Sequence, residues 1–440
     1  MNQELLDLAT WTIQAAKAAG ANDCRANVYR DRSVEISYRE RKPENIKEAS
    51  TRGLNLEVFV NRRYSSQSTS DLRRDALKDF IAQAIAATKL LAEDPFRSLP
   101  DPKYYAGRST LDLGRVDPTY PQLAPEERHR QVKALEDACL AAGGPKVISV
   151  TAGVGDGYGE SVLLTSNGFE GYSESTSFGA SAEMSVQDEG DRKPNGWAYA
   201  EAVARKSLPP MEEIGVRAAK RTLALLGAKK IPTATLPIIV ENQNVPRLLS
   251  GLVAAMSGRN LQQKQSFLAG KKGQKIASDR LTLVDDPLLV GGLGSRHFDG
   301  EGLTAKRRVM IDAGVLQDYY IDWYYGRKLG WDPTTGGSSN LIIPPGTRSV
   351  AQIMKDLGKG VLITGFIGGN SNSTTGDTSV GIIGTLFEHG ELTQPVAEMN
   401  IAGNHLQLWQ KVAEAADDPW LYGSWRTPSL VFTDIVVSGV

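Results

Sequence analysis

Four histidines, His129, His297, His389 and His405, and two cysteines, Cys24 and Cys139, are the side chains of this 440-residue chain best suited to ligate a metal or attack a carbonyl. No two histidines stand one helical turn apart, so the zincin pattern of paired imidazoles with a glutamate base is absent. His129 lies in the run Glu126-Glu127-Arg128-His129-Arg130, which reads as a solvated helix face. His389 sits in a Glu-His-Gly-Glu turn with a structural reading, and only His297 has neighbours of chemical interest. Neither cysteine has a histidine nearby in sequence. No Gly-x-Ser-x-Gly elbow occurs, because Gly369-Asn370-Ser371-Asn372-Ser373 lacks the closing glycine and a following helix. The glycines of Gly153 to Gly159 look superficially like a phosphate loop. They join two strands with no helix N-terminus to hold an anion, and read as a flexible hairpin.

Two segments combine permissive backbone with polar side chains. The first follows Asp285-Asp286-Pro287 and contains Ser295, Arg296, His297, Asp299, Gly300 and Glu301. An arginine fork beside carboxylates would either grip a peptide carboxylate or pin the loop through salt bridges. The second runs from Gly365 through Gly368, Gly369 and Asn370 to Asp377. A polar glycine-rich loop leading into a strand would either expose backbone groups to an extended peptide or form a solvent-exposed turn.

The elements that must position these loops follow from periodicity. Leu5, Leu6, Ala9, Ile13 and Ala16 recur at helical spacing, predicting a helix that ends near Gly20. The period then changes to two: Val34, Ile36 and Tyr38, then Leu54 to Val60, alternate as antiparallel strands with one wet face. A second helix is expected from an N-cap at Asp71 through Leu77, Ile81, Ile85 and Leu91. Residues 94–125 hold six prolines and read as a connection laid over the surface. The order then repeats, with a helix over 125–142, strands over 147–203 and a helix over 211–226. Asn167-Gly168 is a type I′ hairpin signal. This predicts an α+β fold: an N-terminal domain (1–228) of antiparallel strands flanked by helices, built of two related α–β–α halves. A C-terminal domain (229–440) is expected to be a strand-rich barrel or sandwich holding one prominent helix, over 245–258.

Length and composition agree with two cores rather than one. Lys plus Arg (50) nearly cancels Asp plus Glu (51), for a net charge of −1. That balance gives no global field to attract nucleic acid or anionic lipid. The short basic runs at Arg39-Glu40-Arg41-Lys42 and Lys306-Arg307-Arg308 read as solvated faces. Two cysteines fit a reducing cytoplasm, and no apolar run approaches the roughly 18 residues a membrane helix needs.

Gly294 to Gly302, Arg307-Arg308, Gly314 to Gln317, Thr375-Gly376-Asp377, Glu391 to Pro395, Ile401 to Asn404 and Thr427 to Gly439 resemble the TldD/PmbA family. The family has a zinc-peptidase subunit, with a His-Glu-x-x-x-His helix and a downstream cysteine, and a PmbA (TldE) subunit that lacks them. The resemblance aligns Ser250, Gly251 and Ala255 with the first histidine, the glutamate and the second histidine, and no cysteine follows Cys139. Serine, glycine and alanine supply neither imidazole nor general base. The resemblance therefore implies a PmbA/TldE-type subunit without metal or catalytic residue of its own, zinc being expected in a TldD-type partner. It also implies an extended peptide substrate held by Ser295, Arg296, His297, Asp299, Glu301, Gly368, Gly369 and Asn370, and a homodimer in isolation. Two other readings remain open: an interaction protein modulating DNA gyrase, and a non-metallo hydrolase with an unrecognised site.

Overall fold

In the computed structural model, which describes residues 2–439, the first half of the chain is one antiparallel sheet under four helices. Helix α1 (Gln3–Ala18) leads into β1 (Asp23–Arg39), β2 (Lys42–Val60) and β3 (Arg63–Thr69), followed by α2 (Arg74–Thr88). The order recurs as α3 (Pro125–Gly143), β4 (Val147–Thr165), β5 (Glu170–Val186), β6 (Asn195–Ala202) and α4 (Met211–Leu223). The two meanders join through β1 and β4, giving the order β3-β2-β1-β4-β5-β6. Alternation sorts the faces. Cys24, Ala26, Val28 and Leu54, Leu56, Val58 are buried against α1 and α2, while Arg25, Asn27 and Glu57 point to the other, polar face. Under α3 and α4 the same role falls to Ala152, Ala180, Ala182 and Ala198.

Several local expectations are corrected. Asp71 does not cap α2; its carboxylate accepts from the Arg73 N–H, and Arg73 takes the N-cap position without a side-chain cap. Leu91 lies beyond the helix end and is exposed. Asn167-Gly168 does link β4 to β5, but only Gly168 has positive φ (104°), so the turn is not type I′. The paired positive φ values belong to Glu40 and Arg41 (53° and 61°) and to Asn61 and Arg62 (49° and 62°), in the two-residue turns flanking β2. Gly153 to Gly159 forms no hairpin and runs straight through β4, each glycine paired across to both neighbours. The proline-rich connection is not merely draped over the surface, since Leu99, Tyr105, Leu113, Tyr120 and Leu123 are buried.

The second half contains β7 (Ala234–Val240), α5 (Val245–Ala255), β8 (Leu283–Asp285), β9 (Arg308–Asp312), β10 (Val315–Leu316) and β11 (Leu341–Ile342). There follow β12 (Lys359–Ser371), β13 (Asp377–Glu388), β14 (Glu391–Asn404), β15 (Val412–Ala415), β16 (Trp425–Arg426) and β17 (Leu430–Ser438). Strands run β14-β13-β12-β7-β17, and Asn400 and Ile401 of β14 pair back with β17. This closes a five-stranded barrel, resolving the barrel-or-sandwich alternative. Leu248, Leu249 and Leu252 of α5 share one core with Val361, Ile363, Val380, Ile382 and Ile401 of the barrel. A small sheet, β10-β9-β8-β11-β16, carries the loop that contains Ser295 to Glu301. Among the described residues no helix is long and apolar enough to cross a membrane.

Candidate functional site

The residues singled out from sequence fall into two places. Gly368, Gly369 and Asn370 lie not in a loop but within β12, at a bulge where pairing with β13 slips between Ile367 and Asn370. The slip needs two successive positive φ values, 56° and 90°, which glycine adopts without strain. A Cβ on Gly369 would stand 2.6 Å from the Ser379 carbonyl oxygen. β12 pairs with β7 only over Val361 to Ile363, so beyond that one edge of the strand turns toward α5. Arg247 of α5 donates to the Gly368 carbonyl at 3.0 Å, and a pocket of about 360 Å3 opens between them, lined by Ser250, Gly251, Ala254, Asn370, Ser371 and His405.

His405 is the residue sequence reasoning passed over. It lies 1% exposed, stacked parallel to Phe267 at 5.6 Å. The Trp409 indole N–H donates to its Nδ1 at 3.2 Å, and its Nε2 lies 2.7 Å from Ser371 Oγ. Burial pushes the imidazole down to about 4, so it is neutral near pH 7. An indole only donates; Nδ1 must accept, and the ring proton therefore sits on Nε2 and points at Ser371. That is the wrong tautomer for a general base, which needs a bare nitrogen facing the hydroxyl. The pair is a fixed structural contact rather than an activated nucleophile. Nothing in sequence flagged it, since Ser371 and His405 meet only through the β12–β14 meander.

The loop of Ser295 to Glu301 occupies the other place. Ser295 is buried, donates to the Leu289 carbonyl and accepts from Asn340 Nδ2. Arg296 donates to the carbonyls of Gly337 (2.6 Å) and Ser338 (3.2 Å). His297 Nε2 lies 2.9 Å from the Leu111 carbonyl oxygen. Asp299 accepts from the N–H groups of Glu301, Leu303 and Gly336 and from Thr335 Oγ1. These bonds pin the loop and clasp it to the proline-rich segment, while Arg296, Phe298 and Asp299 still line a cavity of about 500 Å3 under the polar face of the first sheet. The two groups of predicted residues thus line separate cavities.

Glu301 accepts from the Trp323 N–H at 2.8 Å, and burial, with Asp299 adding to it, pushes its carboxyl up to about 7. The folded state holds this proton more tightly than the unfolded chain, whose carboxyl titrates near about 4.3. The associated stability is fully present below that value and is lost as pH rises through about 7. Glu301→Gln keeps the acceptor and removes the titration. Its unfolding free energy is expected to be flat across this window and to exceed the parent's at pH 8 by about 1–3 kcal/mol. Parallel pH profiles for the two proteins would assign the proton elsewhere.

With this geometry in place, three family models match: PmbA/TldA metallopeptidase domain 1 over residues 24–88, its central domain over 118–226 and its C-terminal domain over 233–439. The chain belongs to the PmbA/TldD family. Metalloprotease PmbA of Escherichia coli is 29% identical over 99% of this chain and 97% of its own length. The PmbA homolog of Haemophilus influenzae is 28% identical, covering 99% and 96%. A crystal structure of a candidate modulator of DNA gyrase from Bacteroides thetaiotaomicron matches with a TM-score of 0.97 at 40% identity, covering 100% of both chains. TldE of Thermococcus kodakarensis shares the fold, with a TM-score of 0.86 at 22% identity over 98% of this chain and 100% of its own.

A metallopeptidase family name implies a metal, and the PmbA/TldD fold allows a test of fit. On α5 the pocket receives Ser250, Gly251 and Ala254, whereas Ala255 is turned into the core. His405 has both ring nitrogens engaged, and a Cβ on Gly251 would stand 2.5 Å from its Nε2 and 2.6 Å from Ser371 Oγ. Among the described residues no group of three or more His, Cys, Asp or Glu side chains could hold a metal ion. The residues present do not fit one.

Proposed function

We propose that this chain is the zinc-free subunit of a TldD/TldE-type peptidase assembly, helping to close a chamber and to hold extended peptides that a zinc-bearing TldD-type subunit cuts. The observation that carries this reading is the α5 face, where Gly251 abuts His405 and no side chain can act as metal ligand or base. The free edge of β12 beside that face offers backbone groups to an extended chain, the geometry of strand addition. Cytoplasmic residence and self-association of the isolated chain as a homodimer accompany the proposal. The tautomer of His405 weighs against an independent serine hydrolase. The gyrase-modulator name of the Bacteroides relative supplies a second reading, which the even charge of this chain does not favour.

The test is metal content and hydrolysis of an unfolded peptide by the purified chain, alone and mixed with a TldD-type subunit. No bound zinc and cleavage only in the mixture are expected. Stoichiometric zinc, or cleavage by the chain alone, would overturn the assignment, and recovery of gyrase on co-purification would favour the second reading.

A further inference from the structure

We propose that Arg115 and Arg296 form a binding site for the terminal carboxylate of an extended peptide. Both arginines line the cavity of about 500 Å3 under the first sheet and an adjoining one of about 380 Å3, so they stand at the common wall. Among the described residues, neither forms an ion pair, although the neighbouring Arg25 is paired with Glu57 at 2.6 Å. Arg115 donates to Ser173 Oγ at 2.9 Å and to no other side chain. Arg296 directs its terminal nitrogens to the Gly337 and Ser338 carbonyls and to Thr335 Oγ1, and its Nε is buried without a partner. Asp299 faces the same cavity, but four donors already engage its carboxylate.

Two guanidiniums placed this way repel each other in a half-buried wall. Burial, and then the Arg296 charge, hold the Arg115 guanidinium below its ordinary value. An anion between them relieves both costs, accepting N–H bonds from the Arg115 guanidinium beside the Arg296 charge. Beyond them the wall carries the Arg25–Glu57 ion pair and the Asp299 carboxylate, with Asn27, Asn55 and Ser161 from the polar sheet face. The amides and hydroxyl suit peptide backbone leading up to a carboxylate, while the Asp299 and Glu57 carboxylates disfavour a multiply charged phosphate. The inference rests on the reading that this chain holds peptide substrate, and assigns which end of the peptide is gripped.

The experiment is calorimetric titration of the isolated full chain with tetra-alanine as the free acid, with its C-terminal amide and with inorganic phosphate. It needs neither zinc nor the partner subunit, so its failure is distinguishable from failure of the assembly reading. The free acid is expected to bind about ten- to a hundredfold more tightly than the amide. Arg115→Gln is expected to lose a similar factor, with Arg115→Lys recovering part of it. Equal binding of acid and amide, binding of neither, or binding of phosphate without the acid would overturn the proposal. The acid–amide comparison uses the unaltered chain and stands even if a variant fails to fold.

Discussion

Replacing Arg128 by methionine is expected to lower the unfolding free energy by about 3–5 kcal/mol at neutral pH. Arg128 on α3 grips Asp156 on β4 through two parallel bonds, Nε to Oδ2 at 2.5 Å and Nη2 to Oδ1 at 2.8 Å. The two side chains are only 5% and 4% exposed. A third bond reaches the Leu123 carbonyl at 3.1 Å and fixes the end of the proline-rich segment. Removing the guanidinium leaves the Asp156 carboxylate buried without its bidentate partner, which costs more than the pair itself is worth. The double variant Arg128→Met, Asp156→Leu is therefore expected to recover much of the loss. Chemical denaturation of the four proteins of this cycle gives the answer. A single-variant loss below about 1 kcal/mol would mean that water reaches the pair.

Gly251→Ala is expected to destabilise by about 1–4 kcal/mol, although alanine favours a helix over glycine by up to about 1 kcal/mol. The added methyl would stand 2.5 Å from His405 Nε2 and 2.6 Å from Ser371 Oγ. The imidazole cannot yield, being held by the Trp409 indole on one side and stacked on Phe267. Ser250→Ala, one residue away on the exposed side, is expected to change stability by less than about 0.5 kcal/mol. Thermal melts of the two variants separate crowding from helix propensity. A stabilised Gly251→Ala would show that the pocket can open and that His405 is free to move.

Much of the fold was legible because each half-buried strand alternates and each helix has one apolar stripe. Val34 and Ile36 give the helix-covered face of β1 directly, and Leu248, Leu249 and Leu252 give the buried side of α5. Tight turns were less legible, for a physical reason. Glu40-Arg41 carries no turn residue, yet Glu136 on α3 accepts the Arg41 N–H at 2.9 Å and helps hold this left-handed pair. Asn167-Gly168 carries the expected residues but sits in a different turn, with Thr165 and its hydroxyl bonding Phe169. The candidate site was legible in its glycines and in the Ser295 to Glu301 loop. His405 and Arg115 were not, because a lone histidine or arginine acquires meaning only from partners that the topology brings to it.

Closure of the barrel has a consequence for the order in which the protein is made. The six-stranded sheet is complete once Ala202 has been synthesised, and α4 can cover it soon afterwards. Strand β7 is different: on one side it pairs with β12 over only three residues, and on the other it needs β17, Leu430–Ser438. β14 also meets β17 through Asn400 and Ile401. Until that last strand leaves the ribosome, β7 and β14 present open edges and α5 lacks a closed core. The nascent second half must therefore wait, with apolar strand edges unpaired, for most of its own translation. Shielding of strand edges during synthesis therefore matters most for this half, whose barrel closes only with β17.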